Sequence, residues 1–242
     1  MGMFSAPGAY DRAITMFSPE GRIFQVEYAL ETVKRGATVL GIACDGGVVL
    51  AAEERPSSRL QDPNFASKIF EVDEHVGAAI AGLSSDARVL LSRARIQAQS
   101  NRLTYDEPID VDALTRGIGD TMQLYTQNGG VRPFGLSIIF AGVDKRGPQV
   151  LQVDPSGAYW KYKAVAIGAG SDAVREILEK EYRTGLKIEE ATDIAVRSLY
   201  KTAEAGITAE NIKVAKIDVH TKSFQLVPPE DIKKTIEETP KS

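Results

Sequence analysis

The stretch Gly135–Val143, with the run Leu136-Ser137-Ile138-Ile139-Phe140-Ala141 at its centre, constrains the fold more than any other. A strand points successive side chains to opposite faces, so a run apolar at nearly every position must be covered on both sides. A partner sheet on one face and helices on the other would do this. The flanking sequence supplies both. Thr38–Cys44 and Val48–Ala52 are β-rich runs around the hairpin signal Asp45-Gly46-Gly47, and Lys68–Val72 and His75–Ala81 join tightly at Asp73-Glu74. Ser84 or Ser85 then opens a helix with Ala87, Leu90, Leu91, Ala94 and Ala98 on one face. A second helix runs from about Val111 to Tyr125, with Val111, Leu114, Ile118 and Met122 as its stripe. After the long strand the outline repeats. A return strand (Val150–Val153), runs at Tyr159–Lys163 and Val165–Ile167, and helices at Ser171–Tyr182 and about Glu189–Ala205 follow in turn. Ile212–Val219 and Phe224–Val227 form a last hairpin before a short helix from Pro228-Pro229. Strands, two helices, strands, two helices, strands: the order predicts an α+β layered sandwich of antiparallel sheets with helices on the outer faces. No linker interrupts it, so residues 1–242 read as a single domain.

Ahead of this pattern, Ser18-Pro19-Glu20 reads as a helix start, with a hydroxyl cap, a proline where no N–H is needed and an acid at the positive end of the dipole. Ile23, Val26, Leu30 and Val33 recur at helical spacing, and Lys34-Arg35-Gly36 closes the element. A helix over 18–36 is the expectation, preceded by an arm over 1–17. That arm carries Tyr10-Asp11-Arg12, an aromatic, an acid and an arginine in a row.

Composition narrows the function. The net charge is −4 and no block of five like charges occurs, so nothing argues for nucleic acid as a partner. The single cysteine, Cys44, excludes an internal disulfide or a cysteine-based metal cluster and suits a reducing compartment. No apolar run approaches the ~20 residues that span a bilayer, and no secretory signal precedes the fold, so a cytoplasmic protein without a membrane partner is expected. His75 and His220 lie far apart with no second ligand at metal-site spacing, so neither metal nor cofactor is expected. Gly168-Ala169-Gly170-Ser171-Asp172-Ala173 has the form GxGxxA between strand and helix. It lacks the following parallel unit of a dinucleotide site and reads as a glycine turn.

The run YDRAITMFSPEGRIFQVEYALETVKRGAT, from Tyr10 to Thr38, resembles the N-terminal signature of proteasome alpha subunits in its archaeal form. The resemblance continues through SRL at Ser58–Leu60, SKI at Ser67–Ile69, YTQNGGVRPFG at Tyr125–Gly135 and IGAGSDAV at Ile167–Val174. It implies a four-layer αββα sandwich, the N-terminal-nucleophile hydrolase fold. Active members of that fold use an N-terminal threonine, serine or cysteine whose own amine is the base. Here the matching place falls near Gly36-Ala37-Thr38. Glu53 and Lys68 look like counterparts of other active-site groups, but Thr38 lies inside the chain without a free amine. The resemblance therefore implies no catalytic residue, and a structural and gating subunit of the 20S core.

Its partners would be identical subunits in a heptameric ring, rings of beta subunits, an AAA ATPase activator that inserts its C-terminal tail, and unfolded polypeptide substrates. The resemblance assigns the gate to Tyr10, Asp11, Arg12, Pro19 and Tyr28. It assigns the activator-docking pocket to Gly21, Ile23, Gly36, Lys68, Gly82 and Leu83, and the entrance-channel loop to Asn128, Gly129, Gly130 and Val131. Two rival readings are an active threonine-type peptidase, which would need processing to expose a nucleophile, and a small-ligand or nucleotide-binding module on Gly168–Ala173.

Overall fold

The computed structural model describes residues 15–54, 60, 67–203 and 207–239. Its strands are β1 (Val39–Cys44), β2 (Gly47–Glu53), β3 (Ile69–Asp73), β4 (Val76–Gly82), β5 (Leu136–Asp144), β6 (Gly147–Val153), β7 (Tyr159–Tyr162), β8 (Ala164–Ile167), β9 (Ile212–Asp218) and β10 (Phe224–Leu226). The helices are α1 (Phe24–Lys34), α2 (Ser84–Tyr105), α3 (Val111–Gln127), α4 (Ser171–Glu181), α5 (Ile188–Thr202) and α6 (Pro229–Glu237). Two five-stranded sheets form, in the orders β10-β9-β2-β1-β8 and β3-β4-β5-β6-β7. Every paired strand is antiparallel. The expected α+β sandwich, with helices on both sides, is the observed fold.

Period-2 alternation sorts the core into three layers. On β1, Leu40, Ile42 and Cys44 pack beneath α4 and α5, whose Val174, Leu178, Ala191, Ala195 and Leu199 close that face. On β5, Leu136, Ile138 and Phe140 face the helices α2 and α3 and meet Leu90, Ala94, Leu114 and Ile118. The other side of the same strands fills the space between the sheets: Val39, Val48 and Leu50 against Ala79, Ile139, Ala141 and Val150. β5 is buried at all nine positions, as its sequence requires. On α2 the buried set includes the five residues of the sequence stripe.

Cys44 lies in this core, its thiol donating to the Gly47 carbonyl at 3.3 Å. Burial pushes the thiol's pKa up, which keeps it protonated and unreactive. Among the described residues no helix is long and apolar enough to cross a membrane.

One boundary needs correction. The helix expected from Ser18 begins at Phe24. Ser18–Arg22 is instead a tight turn: the Gly21 amide donates to the Ser18 carbonyl at 2.9 Å, the Ser18 amide to the Arg22 carbonyl at 2.9 Å, and the Arg22 amide to the Ser18 hydroxyl at 3.2 Å. Gly21 has φ +77°, a conformation that breaks a helix and favours glycine. Residues that suit a helix start also suit a turn, and Gly21 decides between them. Val26, Ala29 and Val33 form the buried face of α1, with Ile23 and Leu30 half-buried beside them.

Truncating Ile139, fully buried between the sheets, removes contacts that no helix movement can replace. Ile139→Ala should destabilise the protein by about 2–5 kcal/mol, read as a lower urea midpoint with an unchanged slope.

Candidate functional site

The C-terminus of α1, the end of β4, the start of β3 and the first turn of α2 converge at one end of the sandwich. Gly36 follows α1, and a Cβ there would stand 2.5 Å from the Gly82 amide nitrogen. Gly82 itself has φ +118°, and any side chain on it would strike the Gly135 carbonyl. Two backbones thus cross with no room for a methyl group. Leu83, 40% exposed, caps the crossing, and its amide donates to the Gly135 carbonyl at 2.9 Å. Lys68 lies beside it. Its carbonyl accepts the Ile80 amide at 3.0 Å, while its ammonium donates to the Ser84 hydroxyl at 3.0 Å on the first residue of α2. Burial pushes the Lys68 pKa down, with Glu54 opposing that fall. A half-buried ammonium bonded to one neutral hydroxyl is suited to receive an anion. Gly36, Lys68, Gly82 and Leu83 therefore come together.

Gly21 and Ile23 do not join them. They sit at the start of α1, and at ~1.5 Å per helical residue the helix carries Gly36 roughly 20 Å away. Pro19 belongs to the exposed turn below α1 and Tyr28 to its surface, 48% exposed and stacked on Phe24 with ring centroids 6.4 Å apart. The Arg22 guanidinium covers the Phe24 ring at 4.9 Å and pairs with Glu27. Tyr10, Asp11 and Arg12 lie outside the described residues, as do Ser58 and Arg59.

The loop after α3 stands clear of the fold. A Cβ on Gly129 or Gly130 would meet nothing within 4 Å, and Val131 is 41% exposed. Asn128 caps α3 by donating its side-chain amide to the Leu124 carbonyl at 2.8 Å. The root of the loop is clamped. Arg132 donates to both oxygens of Asp86 at 2.6 and 2.8 Å, and the Gly135 amide adds a third bond at 2.9 Å. Burial opposes ionisation of Asp86, but Arg132 and the Gly135 amide outweigh it and hold its carboxyl below the usual range. Sequence reasoning missed Asp86 and the clamping role of Arg132. Their only signal was an acid in the first turn of a helix.

The remaining motifs are occupied within the chain. Thr38 is buried, and its hydroxyl accepts the Gly170 amide at 2.9 Å. In the GxGxxA turn, Ala169 donates to the Gly36 carbonyl at 2.9 Å and Ser171 to the Gly168 carbonyl at 3.3 Å. Three successive amides of that turn thus point to partners in the protein, which leaves them unable to cradle a phosphate. Buried His75 reaches the Ile109 carbonyl at 2.8 Å through Nε2 and lies 3.4 Å from Asp73 through Nδ1, tying the α2–α3 connection to the β3–β4 hairpin. His220 belongs to the turn after β9, where its amide donates to the Asp218 carboxylate at 2.8 Å.

Comparison with known proteins identifies the family. A family model described as "Proteasome subunit" matches residues 33–217, and another, for the A-type N-terminal signature of proteasome subunits, matches residues 10–31. The chain is 52% identical over 231 residues to a proteasome alpha subunit from Methanocaldococcus jannaschii, covering 96% of this chain and 88% of that one. It is 51% identical to the alpha subunit from Methanopyrus kandleri, covering 90% and 89%. For the one from Thermococcus sibiricus the identity is 48%, covering 98% and 91%.

Two outcomes follow from the geometry. Gly36→Ala drives a methyl group into the Gly82 backbone and should cost about 1–3 kcal/mol in thermal or urea unfolding, whereas Gly129→Ala should be nearly neutral. Arg132→Ala should cost roughly 1 kcal/mol, discounted for the exposed guanidinium. Asp86 has a lowered folded pKa, so its contribution is complete above the ordinary carboxylate value near ~3.9 and is lost as pH falls through the lower folded value. The difference between Arg132→Ala and wild type should therefore shrink in that acid range.

Proposed function

We propose, starting from the fact that this chain belongs to the proteasome alpha-subunit family, that it is a non-catalytic subunit of the 20S core. Seven copies form the outer ring, stack on rings of beta subunits that carry the threonine nucleophile, admit unfolded polypeptides and receive the C-terminal tail of an AAA ATPase. The proposed setting is the cytoplasm, and the chain acts there as one domain.

The observation that carries the docking reading is the division of the pocket residues between the two ends of α1. One end supplies Lys68, Gly36, Gly82 and Leu83, with the ammonium bonded to the Ser84 hydroxyl. The other end supplies Gly21 and Ile23. One chain cannot gather all six around a peptide end, whereas two neighbours in a ring can, each giving one half. A tail entering between them places its carboxylate on Lys68, and the side-chain-free crossing at Gly36 and Gly82 lets the peptide backbone approach. The open surroundings of Gly129 and Gly130 fit a loop that rims an axial entrance without filling it. The arm residues Tyr10, Asp11 and Arg12 act with Pro19 and Tyr28 as the gate. Each such contact is weak, on the order of 1 kcal/mol, but a ring repeats it in every copy.

Thr38 supports the non-catalytic reading. It follows a helix, has a peptide nitrogen in place of a free amine, and its hydroxyl accepts the Gly170 amide. Core particles reconstituted with Thr38→Ala subunits should hydrolyse fluorogenic peptides nearly as wild type does; abolished hydrolysis in a correctly assembled particle would overturn the assignment. Lys68→Ala should assemble and lose stimulation by activators that insert a free C-terminus, since the carboxylate then lacks its cation. Deleting residues 1–12 should speed degradation of long unfolded proteins and barely alter tetrapeptide cleavage. Equal rates on both substrates would leave the arm without a gating role.

A further inference from the structure

Glu54, the residue after β2, is a carboxylate that the docking reading does not use. Its side chain is only 10% exposed. Oε1 accepts the Lys68 backbone amide at 2.5 Å and the Ser67 hydroxyl at 3.1 Å. Oε2 lies 3.8 Å from the Lys213 ammonium on β9, which also reaches the Ser67 hydroxyl at 3.4 Å. The Glu54 backbone is fixed as well. Its amide donates to the Asn211 carbonyl at 2.7 Å, and its carbonyl accepts the Asn211 side-chain amide at 3.4 Å. Glu54 is therefore anchored just beyond β2 to the residue that precedes β9, although it bonds to the segment that leads into β3.

A buried carboxylate is costly unless it is paired and hydrogen-bonded. Glu54 is both, and what its bonds determine is the place of Lys68. The Lys68 carbonyl is held by β4 through Ile80, and its amide is held by Glu54, so the residue is fixed on both sides of its α-carbon. Only then does its side chain reach the first turn of α2. Charge follows the same logic. Lys213 pairs with Glu54, and among the described residues of this cluster two ammonium groups face one carboxylate. The Lys68 ammonium, by contrast, donates to a neutral group, the Ser84 hydroxyl.

We infer that Glu54 is a positioning residue for Lys68: it anchors the Lys68 backbone, and Lys213 holds the Glu54 charge so that the Lys68 ammonium stays available to an incoming C-terminal carboxylate. This rests on the docking reading above. Neutralising Lys213 would let Glu54 draw the Lys68 ammonium inward and compete with the tail. Replacing Glu54 by glutamine keeps an amide oxygen where Oε1 now accepts the Lys68 amide; replacing it by alanine does not.

The test uses core particles reconstituted with beta subunits. The probe is a dye-labelled ten-residue peptide bearing the C-terminal sequence of the cognate AAA ATPase, with its carboxyl-amidated form as control, and binding is read by fluorescence anisotropy. Glu54→Ala should weaken binding of the free-carboxylate peptide about tenfold, while Glu54→Gln stays within about threefold of wild type. In a Lys68→Ala background, Glu54→Ala should add nothing, because its effect passes through Lys68. If Lys68→Ala weakens binding and Glu54→Ala does not, the positioning role is overturned and the docking reading stands. An equal loss from Glu54→Ala with and without Lys68 also overturns it, since the effect would then be a general loosening of the fold. If Lys68→Ala itself leaves binding unchanged, the docking reading falls and takes the inference with it. Should Glu54→Ala fail to assemble, Lys213→Met decides: about tenfold weaker binding supports the role, and unchanged binding overturns it.

Discussion

The distance between the two sheets governs the rest of the molecule, and short side chains set it. On β1, Gly41 faces β5 and β6, where a Cβ would stand 2.9 Å from the Ile139 side chain and 3.2 Å from Val150. On β4, Gly77 faces the other sheet in the same way, 2.9 Å from the Phe224 ring and 3.0 Å from Leu50. Each glycine receives a large side chain from the opposite sheet, so the two sheets interlock at these positions. Because the sheets sit this close, both outer faces are free to take helices. The strand ends also come near enough for α1, through Val33, to join the layer between the sheets.

That geometry explains what could be read from the sequence. Leu136–Ala141 announced burial on both faces, and the hairpin signals at Asp45-Gly46-Gly47 and Asp73-Glu74 fixed which strands pair. Period and turn chemistry are local, so they survive in a linear reading. The start of α1 did not, because Ser18-Pro19-Glu20 satisfies the rules for a turn and for a helix alike. Only the positive φ of Gly21 separates the two outcomes. The site was legible in part for a different reason. Gly36, Lys68 and Gly82 could be named by resemblance, but their neighbours Ser84, Asp86 and Glu54 could not. Arg132 is separated from Asp86, and Glu54 from Lys213, by long stretches of chain, and no spacing rule links residues that meet only through the tertiary fold.

The end of the molecule that carries the candidate site is built from backbone more than from side chains. The Gly36–Gly82 crossing, the Leu83–Gly135 bond and the Ala169–Gly36 bond are all main-chain contacts. Main-chain contacts hold distances without the rotamer freedom of long side chains. The few side chains that do act there, Lys68, Asp86 and Arg132, are each tied by hydrogen bonds to a fixed element.

The strand orders also carry a timetable. The sheet β3-β4-β5-β6-β7 is made of consecutive strands, so each can pair with its predecessor as the chain leaves the ribosome. The other sheet joins the two ends of the chain: Val39 pairs with Ile167, and Ala51 with Val214. At about 5–20 residues per second, β2 waits on the order of ten seconds for β9 with its edge open, while β1, the other strand of that apolar hairpin, meets β8 earlier. Nascent chains interrupted in that window hold one finished sheet and one exposed hairpin. Chaperones would meet the protein in that form, and truncated products would aggregate through the open edge of β2.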